Sequence, residues 1–139
     1  MTVQRQRRLI FNDDSEELAY SVADTVDGFL EVRLKQLAGT QVDTIAWSVL
    51  GICGDAPAYD SKVQPIFGDA HGGSPPGYPY YVRNIKALIG SGHCPLKIVT
   101  DFAHRNGMES FASVRMNDVH DSFKEGMQTL WKQQHPELL

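Results

Sequence analysis

At 139 residues, with 42% apolar and 22% charged side chains, the chain has the composition and length of one globular domain with its own core, which excludes a disordered polypeptide. Thirteen basic residues against seventeen acidic ones give a net charge of −4, the wrong sign for the broad basic footprint of nucleic-acid binding. No stretch approaches the ~20 apolar residues of a spanning helix, so neither nucleic acid nor membrane is expected as a partner.

The amino terminus, "MTVQRQRRLIFNDD", is too polar for a signal peptide, which makes a cytoplasmic chain the expectation unless a leader was lost. Its basic cluster, Arg5 to Leu9, reads as the solvated start of a strand. Arg7 to Asn12, "RRLIFN", has strand length and β-branched or aromatic content and is the first predicted strand. "FNDD" follows, and Asn12, Asp13 and Asp14 there suit either an Asx turn and helix start or a polar site. In "DGFLEVRLKQLAG", Phe29, Leu30, Arg33, Leu34 and Leu37 recur at helical spacing, and Gly39 suits the stop. Val42 to Leu50, "VDTIAWSVL", is the second predicted strand, and its Trp47 is either core or a platform for a sugar ring.

From Gly51 to Tyr80 the chain is rich in Gly and Pro and shows no sustained period, which predicts a long loop; loops of that length are usually functional. Tyr78, Tyr80 and Tyr81 beside its prolines suit packing or ligand stacking, and "YYVRNIKALIG" suits a short helix. In "CPLKIVTDFAHRNG", Pro95 fits the first turn and Leu96, Val99, Phe102 and Ala103 form one face. His104 and Arg105 lie near the negative end, and Gly107 fits the position after the cap. Met108 to Val114 is the third predicted strand. Cys53 and Cys94 lack the spacing of a zinc set or a disulfide framework, so two free thiols and no cofactor or metal are expected.

Strand, helix, strand, helix, strand is the order of parallel α/β construction, because parallel neighbours need crossovers and helices supply them. With that connectivity "FNDD", the long loop and the segment after the third strand all emerge at the carboxyl end of the sheet, where α/β proteins place ligands. The last of these, "RMNDVHD", delivers Arg115, Asn117, Asp118, His120 and Asp121 directly after an apolar strand. A buried strand ends in that many polar groups when they pair with each other or with a ligand, because an unpaired one costs free energy once desolvated.

"RRLIFNDDSEEL", "GTQVDTIAWSVLG", "PLKIVTDFAHRNGMESFASVRMNDVHD" and "HPELL" together resemble the amino-terminal part of the glycosyl-hydrolase-like family 10 proteins, bacterial (β/α)8-barrel proteins grouped with glycoside hydrolases. The resemblance spans nearly the whole chain and is weakest from Gly51 to Tyr80; "RMND" followed by "HD" is its most specific piece. It implies an α/β fold made of about three β/α units of a TIM barrel with parallel strands, and hydrolysis of glycosidic bonds in poly- or oligosaccharides. A full barrel needs about 250 residues, so the chain is expected to be the first part of one, inactive alone and prone to self-association through an exposed, apolar barrel-interior face.

Glycoside hydrolysis typically uses one carboxyl group to protonate the leaving oxygen and a second as nucleophile or base. Asp118, Asp121 and His120 are the candidate catalytic groups, in supporting roles if the main carboxylates lie on later strands. Arg115, Asn117, Asn12, Asp13, Asp14 and Trp47 are candidate substrate-binding residues. Two alternatives remain open. One is a metal-dependent carbohydrate hydrolase or deacetylase using Asp13 or Asp14 with His120 and Asp121, although no H-x-x-x-H or H-x-H pair occurs. The other is a non-catalytic carbohydrate-binding module.

Overall fold

A computed structural model of the chain describes residues 9–52, 55–116, 118–124 and 126–138. Three strands, β1 (Ile10–Asp13), β2 (Thr44–Ser48) and β3 (Glu109–Ser113), form one parallel sheet in the order β1-β2-β3. The register sets Asp13 beside Trp47 and Trp47 beside Ala112. All three predicted strands are present, each shorter than its apolar run. The Arg7 and Arg8 end of the first lies outside the described residues.

The crossovers are helical, as parallel pairing demands. α1 (Val26–Val32) starts at Thr25, whose hydroxyl accepts the Gly28 N–H, and it buries Phe29 and Leu30. The predicted helix through Leu37 breaks at Arg33 and resumes as a single 3-10 turn, Lys35–Leu37. Two helices lie between β2 and β3. α2 (Pro79–Gly90) buries Tyr81, Val82, Asn84, Ile85 and Leu88, and α3 (Pro95–Arg105) buries Ile98, Val99, Phe102 and Ala103. Ile98 joins the buried face although the expected stripe omitted it, and Leu96 is only partly buried against the core. Gly107 adopts φ +71°, the left-handed conformation that ends a helix at little steric cost. A short α4 (Leu130–Gln134), capped by Thr129, is followed by a 3-10 turn at Pro136–Leu138.

The core lies between the sheet and its helices. Phe29 of α1 meets Trp47 edge to face at 6.3 Å, and Thr100 of α3 reaches Ser110 of β3, so α1 and α3 cover the same sheet face. The other face carries Ile10, Asn12, Thr44, Ala46, Ser48, Glu109, Phe111 and Ser113 by register. It is open at Ile10, Asn12 and Phe111, yet it mixes polar and apolar groups. The expectation of an apolar face therefore holds only for Ile10, Ala46 and Phe111. Among the described residues β1 and β3 each keep one edge without a strand partner, and no helix is long and apolar enough to cross a membrane.

Among its described residues, the long segment after β2 is irregular up to Tyr78, apart from one 3-10 turn at Asp69–His71. It is packed nonetheless: Ala56, Ala58, Phe67 and Ala70 are buried in the core.

Candidate functional site at the carboxyl end of the sheet

One arginine ties the three strand ends together. Arg115, two residues past β3, pairs with Asp14 after β1, donates to the Ile52 carbonyl after β2 at 3.2 Å, and reaches Asp118 at 3.5 Å. The hydrogen bond to Asp14, more than any other contact, raises the Arg115 pKa. The planar guanidinium presents several donors in a fixed fork, so one side chain can serve three acceptors on three segments.

Asp118 passes the network on. It accepts the His120 backbone N–H at 2.8 Å and the His120 ring at 2.6 Å, and its own side chain is only 5% exposed. Asp121 holds Lys132 of α4 at 2.6 Å. Asp118 and Lys132 then line a cleft of 510 Å³ together with Asp55, Val63, Gln64, Pro65, Met116, Thr129 and Trp131. Its walls combine apolar surface with a few polar groups, the usual make-up of a small-molecule site. Trp131 is 57% exposed there.

The other side of the cleft comes from the long loop. Asp55 accepts from His71 Nε2 at 3.2 Å, while His71 Nδ1 accepts the Gly68 backbone N–H at 3.3 Å. Both side chains are nearly inaccessible, at 8% and 1% exposed, and the second oxygen of Asp55, Oδ1, has no hydrogen-bond partner among the described residues.

The residues expected from sequence are thus divided. Arg115, Asp14, Asp118, His120 and Asp121 do converge. Asn117 lies outside the described residues. Asn12 is exposed on the open sheet face and is not part of the cleft lining. Asp13 is 1% exposed; its Oδ1 accepts the Ser15 N–H at 2.9 Å, an Asx turn, so it cannot offer a ligand an exposed carboxylate. Trp47 is fully buried against Phe29, with Nε1–H directed to Glu17 at 3.4 Å, which corrects the substrate-binding expectation for that residue: it is core. The tyrosines pack as well. Tyr81 shares a 2.6 Å hydrogen bond with Ser15, Tyr78 stacks edge to face on Phe67, and Tyr80 carries Arg83 over its ring.

Sequence reasoning missed Asp55, His71, Thr129, Trp131 and Lys132. Asp55 and His71 sit sixteen residues apart in an aperiodic loop, and only tertiary packing joins them. Thr129 ahead of "LWKQQ" was a legible helix cap, and it places Trp131 and Lys132 together on the first turn of α4.

Beneath the site lies a second acidic pair. Glu17 and Asp13 are both buried, and burial, followed by the neighbouring Asp13, raises the Glu17 pKa well above the ordinary carboxyl range. Ser15 between them holds φ 60°, an uncommon conformation for a residue with a side chain, and its hydrogen bonds to Asp13 and Tyr81 keep it there.

Comparison with models of protein families and with curated protein sequences finds no match to this chain.

Proposed function

We propose that this chain is the first three β/α units of a (β/α)8 barrel of the glycoside-hydrolase kind, and that the cleft at the carboxyl end of its sheet binds a poly- or oligosaccharide. The observation that carries the reading is the placement of the cleft. Arg115 gathers the segments after β1, β2 and β3, and Asp118, at the far end of that network, lines the opening beside Trp131. Sugars bind through hydroxyl groups and through the apolar faces of their rings. The cleft offers acceptors, donors and an indole for these, and the carboxyl end of a parallel sheet is where barrels build their sites.

In this reading Asp118 and Asp121 are supporting groups. Asp118 is held by Arg115 and His120, and Asp121 by Lys132, so neither carboxyl is left to protonate a leaving oxygen. His120 is the group of the cluster with a ring nitrogen to spare, suited to accept a sugar hydroxyl or to orient a carboxylate from another strand of the barrel. The acid and the nucleophile or base of the hydrolytic step itself then belong to those other strands. Among the described residues no three His, Cys, Asp or Glu side chains come together as a metal site, so nothing in the geometry favours the metal-dependent reading over this one.

The test uses the two tryptophans. Trp47 is buried and Trp131 is 57% exposed, so an oligosaccharide in the cleft should change Trp131 emission saturably, and Trp131→Ala should abolish the change. A panel of β- and α-linked oligosaccharides that leaves the emission and the Thr129 amide resonance unchanged would overturn the proposal.

A further inference from the structure

Asp55 is the one cleft carboxylate that the protein leaves half used. Asp118 is engaged by Arg115 and His120, and Lys132, which also lines the cleft, is taken by Asp121. Asp55 receives one hydrogen bond from His71, and its Oδ1 is buried with none. His71 meets Asp55 through Nε2 alone, because its Nδ1 is turned to the Gly68 N–H at 3.3 Å. The cleft lining itself sets two carboxylates, Asp55 and Asp118, against one cation, Lys132, which Asp121 already holds. A buried acceptor without a donor is costly, and a negatively charged one most of all. A ligand that brings a cationic donor relieves both deficits at once through a charge-assisted hydrogen bond.

The geometry points to Asp55 as the specificity residue of an amino-sugar subsite, in which a protonated sugar amine hydrogen-bonds to the Asp55 carboxylate from the cleft while His71 holds it from behind. This rests on the carbohydrate reading and narrows it to glycosides bearing free amino groups. Acetylation of the nitrogen removes its charge and leaves a single, weaker amide donor. The anionic sugars, uronic acids and sulfated units, are disfavoured by the same excess of carboxylates. His71 acts here as a positioning residue: its ring is 1% exposed and touches Asp55, with Phe67 packed at 4.8 Å on its face.

The experiment compares a glucosamine tetrasaccharide with its fully N-acetylated counterpart on the intact chain, by calorimetry, at a pH where the amine is protonated. The glucosamine tetramer is expected to bind about tenfold more tightly, as a charge-assisted bond outweighs a neutral one. The preference should shrink as salt is raised, and it should vanish in Asp55→Asn, with a thermal melt of the variant confirming that it is folded. The salt titration needs no variant, so a preference that salt leaves unmoved counts against the subsite even if Asp55→Asn does not fold. Equal affinity of the two tetramers, or a preference unmoved by salt, overturns the amino-sugar subsite and leaves the carbohydrate reading standing. Binding of neither tetramer, nor of any other oligosaccharide, overturns both.

Discussion

Asp118 accepts two hydrogen bonds from His120, one from its backbone N–H at 2.8 Å and one from its Nδ1–H at 2.6 Å. The carboxylate can only accept, so Nδ1 carries a proton and donates it to Asp118. Phe123 packs at 5.5 Å against the same ring. This is a histidine fixed in orientation, held by the cleft residue Asp118 and with no hydrogen bond to Nε2 among the described residues. His120→Ala should therefore weaken oligosaccharide binding about tenfold, while stability moves by no more than ~0.5 kcal/mol, as is usual for a partly exposed side chain. Asp118→Ala should cost binding and stability together, about 1–3 kcal/mol, because it also strips Arg115 of an acceptor. Calorimetric affinities beside urea melts of both variants separate the two patterns. Equal losses of stability with undiminished binding would make the pair architectural.

Arg115 should behave differently from a surface cation. Its partners lie on the segments after all three strands, and its side chain is 29% exposed. Arg115→Lys keeps the charge but offers one compact ammonium, which cannot span Asp14, Ile52 and Asp118 at once. A loss of about 1–2 kcal/mol is expected, discounted for solvent access. Amide exchange should accelerate at Ile52 and Asp118 together. Faster exchange at only one of them would show that the three segments are not coupled through this side chain.

Gly68 supports the site from behind the long loop. It holds φ +95°, and a Cβ placed on it would lie 2.6 and 2.7 Å from the two γ-methyl groups of Val82. Its N–H is the donor to His71 Nδ1. Gly68→Ala must strain the backbone and push Val82 aside, at a cost of about 2–4 kcal/mol from overpacking and the left-handed conformation together. The check is a denaturant melt of the variant alongside Gly73→Ala, whose Cβ meets nothing within 4 Å.

The elements were legible because each has a local cause. The apolar runs, the cap positions at Pro95 and Gly107 and the alternation of strand and helix specify the three-stranded parallel sheet without any long-range knowledge. The convergence of Asp14 with Arg115 was legible too, since parallel connectivity sends both strand exits to one end. What local pattern could not divide was "FNDD": Asp13 closes an Asx turn and Asp14 reaches Arg115, and both outcomes suit the same letters. Trp47 illustrates a related limit. A strand residue points to one face or the other, and the single run "VDTIAWSVL" does not say which face receives α1. The Asp55 and His71 pair left no periodic trace at all, because it is assembled by the packing of Phe67 and Ala70 into the core.

The pair beneath the site gives the pH dependence. Glu17 is fully buried, its Oε1 and Asp13 Oδ2 have no hydrogen-bond partner among the described residues, and the Trp47 N–H lies 3.4 Å from Glu17 Oε2. Burial is the chief reason its pKa is raised well above the ordinary 4.5, and Asp13 adds to it. A protonated Glu17 can donate to Asp13 Oδ2 and satisfy both orphaned oxygens, whereas an ionised one leaves two carboxylates facing each other in the core. Arg33, the residue that follows α1, feels Asp13, Glu16 and Glu17 but is itself paired with Glu16, so it offsets the repulsion only in part. With the folded pKa raised, the folded state holds a proton that the unfolded chain releases. The stabilising contribution is therefore complete below about pH 4.5, the unfolded value, and is lost as pH rises through the folded one. Urea melts across that window should show stability falling with pH in the wild-type chain. Glu17→Gln supplies a permanent donor to Asp13 and an acceptor for Trp47 with no charge, so it should flatten the slope and become the more stable protein at the alkaline end. If the variant instead keeps the wild-type slope, Glu17 is not the group that titrates. If it is less stable at every pH, the buried carboxyl is favourable as the anion, and the proton is not shared with Asp13.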